Sequence, residues 1–172
     1  MLDKLPPRAD DRIIEIGCGG VFMRRALTSG CCRLAIDHNL DMVANATRLN
    51  RHAASSGRLT VLRGDAASLP ASDGAFDKAY CLNAFFFFPD PQASIAEMAR
   101  VLKPGGQIAL VTSPPEFRAQ IARFSKRMAD GMRFDTLETL DGWMREAGLV
   151  VVEMMVAPNA GILVIARKET AA

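Results

Sequence analysis

Short apolar runs alternate with longer amphipathic stretches along almost the whole chain. The runs at Arg12–Ile16, Arg33–Ile36, Leu59–Arg63, Lys78–Leu82, Gln107–Thr112, Val150–Val156 and Gly161–Arg167 have strand length. Most are nearly continuous in apolar residues, as in parallel strands covered on both faces. Helical periodicity fills the intervals at Phe22–Thr28, Leu40–Ala54, Gln92–Leu102, Glu116–Met128 and Leu137–Ala147. This alternation predicts an α/β, Rossmann-like doubly wound sheet with right-handed crossovers and helices on both faces. The last two strands are separated only by Pro158-Asn159-Ala160, with Gly161 opening the second. That is hairpin chemistry, so the final strand is expected to be antiparallel.

The first strand runs into Glu15-Ile16-Gly17-Cys18-Gly19-Gly20. Glycines at such a turn let the backbone approach a ligand closely, and an acidic residue about twenty positions on, here Asp37, suits ribose recognition. A dinucleotide loop would need glycine where Phe22 stands, so a hydride-transfer cofactor is disfavoured. The carboxylate of Glu15 would also repel a pyrophosphate. A cationic or zwitterionic nucleoside without phosphate, such as S-adenosylmethionine, fits better.

Glu15-Ile16-Gly17-Cys18-Gly19 resembles the first motif of class I S-adenosylmethionine-dependent methyltransferases, the small-molecule type akin to ubiquinone and menaquinone biosynthesis C-methyltransferases. The resemblance continues through Ala35–Val43, Leu62–Pro70, Phe76–Ala84, the turn Val101–Gly106 and Arg145–Leu149. It implies strand order 3-2-1-4-5-7-6 and S-adenosyl-L-methionine as cofactor. It also implies a cofactor site at Glu15, Gly17, Cys18, Gly19, Gly20, Asp37, His38, Asp65, Ala66, Asn83 and Ala84. Glycines 17 and 19 would admit the methionine part and Glu15 would balance its ammonium. Asp37 would take the ribose hydroxyls, while Asp65 and the Ala66 amide would read adenine. Two features depart from the family pattern: the loop after Gly19 is about one residue short, and the first strand follows only about ten residues, without preceding lid helices. A homodimer or partner supplying a lid is one expectation from this.

The acceptor is less legible. Asn83 is followed by Ala84 and Phe85, not by the Pro-Pro-aromatic run of nucleobase amino-methyltransferases. Phe85, Phe86 and Phe87 are candidates for the acceptor wall, with some rings of Phe85–Phe88 expected to plug the core. His38 is the candidate base, since an unperturbed imidazole titrates near ~6.5. Residues 113–135 form a short insertion in which Phe117, Ile121, Phe124 and Met128 share a helical face opposite Arg118, Arg123, Lys126 and Arg127. It reads as a helix packed on the sheet with a solvated basic face, or as a cap over the acceptor pocket whose basic residues meet an anionic substrate or a membrane surface.

A length of 172 residues predicts a single domain, and a net charge of +2 gives no case for a nucleic-acid substrate. The early Asp3 and paired Pro6-Pro7 argue against a signal peptide, and no apolar run has membrane-spanning length, so a cytoplasmic protein without membrane insertion is expected. Cys18, Cys31, Cys32 and Cys81 contain no C-x-x-C pair, and His38 and His52 are the only histidines. Buried reduced thiols and no metal site are expected. The functional expectation is methyl transfer to a small-molecule acceptor. The alternative is a non-catalytic domain of the same fold acting as a partner or regulatory subunit.

Overall fold

The computed structural model describes residues 3–19, 31–157 and 161–170. Seven strands form one sheet: β1 Arg12–Ile16, β2 Cys32–Asp37, β3 Leu59–Arg63, β4 Phe76–Leu82, β5 Leu102–Thr112, β6 Leu149–Ala157 and β7 Gly161–Lys168. Their order is 3-2-1-4-5-7-6, with β7 antiparallel to both β5 and β6 and the others parallel. The anticipated topology is therefore present. The expected helix over 22–28, Gly20, and the turn residues 158–160 lie outside the described residues.

Side chains of successive strand residues point to opposite faces, which sorts the core. In β2, Ala35 joins Cys18, Ala46, Ala53 and Leu59 under the helices α1 Leu40–Leu49 and α2 Arg51–Ser55. Its neighbour Ile36 instead joins Ile14, Ile16, Met98, Leu140 and Met144 beneath α3 Pro91–Val101 and α6 Leu137–Glu146. A further cluster of Leu5, Ile13, Tyr80, Ala109, Leu163 and Ile165 is closed by the N-terminal segment. There the Tyr80 hydroxyl donates to the Leu5 carbonyl at 2.9 Å, and Lys78 Nζ pairs with buried Asp11 at 2.6 Å. Tyr80 is thus a core residue. Three cysteines, Cys18, Cys31 and Cys81, are buried, and Cys31 Sγ accepts from the Arg33 guanidinium at 3.0 and 2.7 Å.

Two anticipated helices are each broken in two by a polar side chain. Asn50 turns its Nδ2 back to the Ala46 carbonyl at 2.8 Å and ends α1 before α2 begins. Ser125 is extended, at φ −156° and ψ 103°, and separates α4 Arg118–Phe124 from α5 Lys126–Gly131, whose Met128 amide it caps through Oγ at 3.2 Å. Asn and Ser compete for backbone groups in this way, and apolar periodicity does not register it. The break also corrects the single apolar face expected over 116–128: Phe124 is 88% exposed. Strand β5 starts earlier than anticipated, at Leu102. The glycine turn lies inside it as a register shift against β4, and a Cβ on Gly106 would meet the Asp77 carbonyl at 3.1 Å.

Candidate functional site

The carboxyl ends of β1, β2 and β4 converge where the strand order reverses, the place at which open α/β sheets bind ligands. After β1 the chain leaves in an arc tied to the neighbouring strand, with the amides of Gly17 and Cys18 both donating to the Ile36 carbonyl at 2.8 and 3.2 Å. Gly17 has φ +72°, and a Cβ there would sit 2.1 Å from the Cβ of Ala84. Only glycine lets the β1 and β4 loops approach so closely. Asn83 in turn has φ +56°, a left-handed conformation uncommon outside glycine.

Asp37 ends β2 and aims its carboxylate across the arc. Its Oδ2 accepts from the Gly19 amide at 3.3 Å and its Oδ1 from the Asn39 amide at 3.0 Å. Asn45, on α1, donates to the Gly19 carbonyl at 3.1 Å, so the glycine arc is held from two sides. Past β3, Gly64 donates to the Asp37 carbonyl at 3.0 Å, and Asp65 Oδ1 accepts from the Ala67 amide at 2.9 Å. The loop beyond is braced from α3. Arg100 reaches the carbonyls of Ala71 and Leu69 at 2.8 and 3.1 Å while pairing with Glu97, whose Oε2 accepts from the Leu69 amide at 2.7 Å. The Arg100 hydrogen bond holds the Glu97 carboxyl below its ordinary range.

These loops enclose a cleft of about 920 Å³ lined by Gly17, Gly19, Asp37, His38, Asp65, Ala66, Asn83, Ala84 and Phe87, with Ile16, Ile36, Asn39, Met42, Arg63, Gly64, Phe88 and Pro89 completing the wall. Eight of the residues expected at a cofactor site are therefore brought together. Glu15 and Cys18 are not on the wall. The Cys18 thiol turns into the cluster beneath α1, where burial pushes it up to about 12, with the charges of Glu15 and Asp37 adding. Glu15 is only 2% exposed, and its Oε2 has no hydrogen-bond partner among the described residues. Burial pushes its carboxyl up to about 8, partly offset by Arg33 and reinforced by Asp37.

The aromatic run is corrected in part. Phe85 and Phe86 are 0% and 7% exposed and belong to the core, whereas Phe87 and Phe88 line the cleft, Phe87 being 52% exposed. Phe85–Phe87 form a 3-10 turn, which buries Phe85 and Phe86 together, and Phe85 meets Phe88 edge-on at 5.7 Å. A residue not singled out for this role holds that turn. Arg133 donates from its guanidinium to the carbonyls of Phe88 and Phe85 at 2.7 and 3.1 Å, and from its amide to that of Phe86 at 2.8 Å. The same guanidinium pairs with buried Asp135 at 2.7 Å and lies 4.8 Å from the Phe85 ring centroid. Sequence offers little to find it, since Arg133 lies 45 residues beyond Phe88.

Residues 14–110 match the methyltransferase domain family. The chain belongs to that family of S-adenosylmethionine-dependent methyltransferases. It is 32% identical over 152 residues to 27-O-demethylrifamycin SV methyltransferase of Amycolatopsis mediterranei, covering 84% of this chain and 56% of that protein. It is 30% identical over 167 residues to ubiquinone biosynthesis O-methyltransferase of Pseudomonas aeruginosa, covering 90% of this chain and 71% of that protein. The chain thus spans little more than half the length of the first relative. Among solved structures, an S-adenosylmethionine-dependent methyltransferase of Mesorhizobium loti superimposes with a TM-score of 0.80 at 21% identity, covering 97% of this chain and 95% of the other. At that identity the likeness is one of fold.

The cleft fits the family's cofactor, S-adenosylmethionine, on its own geometry. Among the described residues a Cβ on Gly19 would meet nothing within 4 Å, and Gly19 lines the cleft. Two carboxylates, Asp37 and Asp65, stand on a wall otherwise rich in apolar side chains, an acceptor set suited to ribose hydroxyls and an adenine amino group.

Proposed function

We propose that the chain transfers a methyl group from S-adenosylmethionine to a small-molecule acceptor that approaches along Phe87 and Phe88. The observation that carries the proposal is the meeting, in one cleft, of the Gly17–Gly19 arc, Asp37, Asp65 and an aromatic wall built from the β4 loop. In this reading Asp37 accepts from the ribose hydroxyls, Asp65 accepts from the adenine amino group, and the amide of Ala66 donates to a ring nitrogen. Glu15 lies buried behind the arc and off the cleft wall, so in this reading it makes no direct contact with the methionine part. The bound cofactor supplies a methyl group on a sulfonium, whose charge disappears as the group is transferred.

The chain's own contribution is alignment and exclusion of water. Alignment of reacting groups supplies up to roughly 7–11 kcal/mol in the best intramolecular cases. The rings of Phe87 and Phe88, with Ile16 and Ile36, keep that side of the cleft apolar, which disfavours a charged ground state relative to a charge-dispersed transition state. His38 on the rim is the base for an acceptor that must lose a proton. Residues 113–135 do not line the cleft, and Arg133 ties the end of this segment to the aromatic turn at its edge.

Calorimetric titration with S-adenosylmethionine, S-adenosylhomocysteine and NAD tests the cofactor assignment. Micromolar binding of the first two without the third is expected; binding of NAD alone would overturn the reading. Transfer of isotope-labelled methyl across a panel of phenols, amines and apolar lipids tests the activity. Cofactor binding without transfer to any acceptor class would favour a non-catalytic role.

A further inference from the structure

The α4–α5 pair leaves apolar and cationic side chains unused by the rest of the molecule. The two short helices pack chiefly on each other and on the 3-10 turn Pro115–Phe117. Phe124, at the end of α4, projects almost wholly into solvent, and Met128 in α5 is also exposed. The same stretch carries exposed Arg118, Arg123, Lys126 and Arg127, against only Glu116 and Asp130. Lys126 and Arg118 share Asp130, at 2.7 and 3.7 Å, while Arg123 and Arg127 have no carboxylate partner among the described residues.

We propose that this surface docks on an anionic lipid membrane, with Phe124 and Met128 entering the interface and Arg123, Lys126 and Arg127 meeting headgroup phosphates. Charge complementarity selects an anionic occupant, and the shape selects a soft one. Phe124 is a projecting tip, whereas a peptide ligand would call for a groove around it. No residue of α4 or α5 lines the cleft described above. A short segment with an apolar tip among cations suits the headgroup boundary. No helix among the described residues is long and apolar enough to cross a membrane, so attachment would be peripheral. The proposal is independent of the methyltransferase reading, though Arg133, which follows α5 and holds the Phe85–Phe88 turn, would set the docked surface beside the acceptor wall.

Co-sedimentation of the full chain with phosphatidylcholine vesicles, with and without phosphatidylglycerol, tests it. Binding is expected only to the mixed vesicles and should weaken as salt rises. Arg123→Gln with Arg127→Gln should lower partitioning roughly thirtyfold, at about fivefold per charge near an anionic surface. Phe124→Ser should lower it by about tenfold through lost apolar burial. S-adenosylhomocysteine affinity should stay at the parent value in every variant, which separates failure of this proposal from failure of the cofactor reading. Independently, Phe124→Trp should shift its emission to the blue on mixed vesicles and be quenched by brominated lipid. Absence of binding to mixed vesicles, or binding unchanged by these substitutions, would overturn the proposal. So would capture by a polyglutamate resin without vesicle binding, or a stable dimer that hides Phe124→Trp from the brominated lipid.

Discussion

The glycine arc after β1 and the α4–α5 pair are both surface segments rich in local signals, yet the fold uses them in opposite ways. The arc is pinned on its protein side: Ile36, Asp37 and Asn45 bond its backbone, and Ala84 leaves no room for a side chain at Gly17. The helical pair is held by the caps of Ser125 and by Arg133 at its far end, and it leaves Phe124 in solvent. One segment is a preorganised wall, in which small changes should be felt as loss of binding or folding. The other is an outward face, in which equally drastic changes should leave the cleft intact. Four substitutions or conditions place that contrast under load.

The largest effect is expected from Gly17→Val. The added Cβ meets Ala84 at 2.1 Å, and φ +72° is strained for any β-branched residue. Overpacking and backbone strain together should cost about 3–5 kcal/mol and abolish cofactor binding. A variant that melts with the parent and still binds S-adenosylhomocysteine would show that the arc is not the rigid wall described. Arg133→Met comes next. It strands the buried Asp135 carboxylate and frees two carbonyls of the aromatic turn, so urea denaturation should report a loss of about 3 kcal/mol. Adding Asp135→Asn should recover part of that loss. If it recovers none, the guanidinium acts on the turn alone and the ion pair contributes little.

Asp37→Ala should weaken S-adenosylhomocysteine binding by about 1.5–3 kcal/mol while the protein stays folded. Equal affinity in calorimetry would remove the ribose assignment. The smallest effect, taken per unit of pH, belongs to Glu15. Its folded carboxyl titrates at about 8 against an ordinary 4.5, so between those values the folded protein keeps a proton that the unfolded chain has released. Stability of the cofactor-free protein should therefore fall as pH rises through that window, by at most about 1.4 kcal/mol per unit. Glu15→Gln should flatten the slope. A parent whose stability is level from pH 5 to 8 would mean that Glu15 is ionised in the folded state.

The succession of strands and helices was legible because each crossover writes a hydrophobic run, a helical period and a turn into contiguous residues, whereas the spatial order 3-2-1-4-5-7-6 was what the family resemblance implied. Gly17, Gly19, Asp37 and Asp65 were legible for a related reason: they sit at strand ends, and strand ends of a doubly wound sheet meet in one crevice. What sequence left open depends on contacts between distant residues. The faces taken by Phe85–Phe88 were settled by a 3-10 turn, and the turn is held by Arg133, an arginine far along the chain. Glu15 reads as a ligand-facing carboxylate by its position in the motif, yet the side chain is buried behind the arc, where its neighbours decide its protonation. The apolar face over 117–128 reads as core by periodicity, and Ser125 turns part of it outward. Local pattern thus determined which elements form and in what order, because propensity and alternation act between neighbours. Tertiary packing decided which side chains face the cleft, the core or the solvent, because burial and hydrogen-bond partners come from residues that sequence spacing does not bring together.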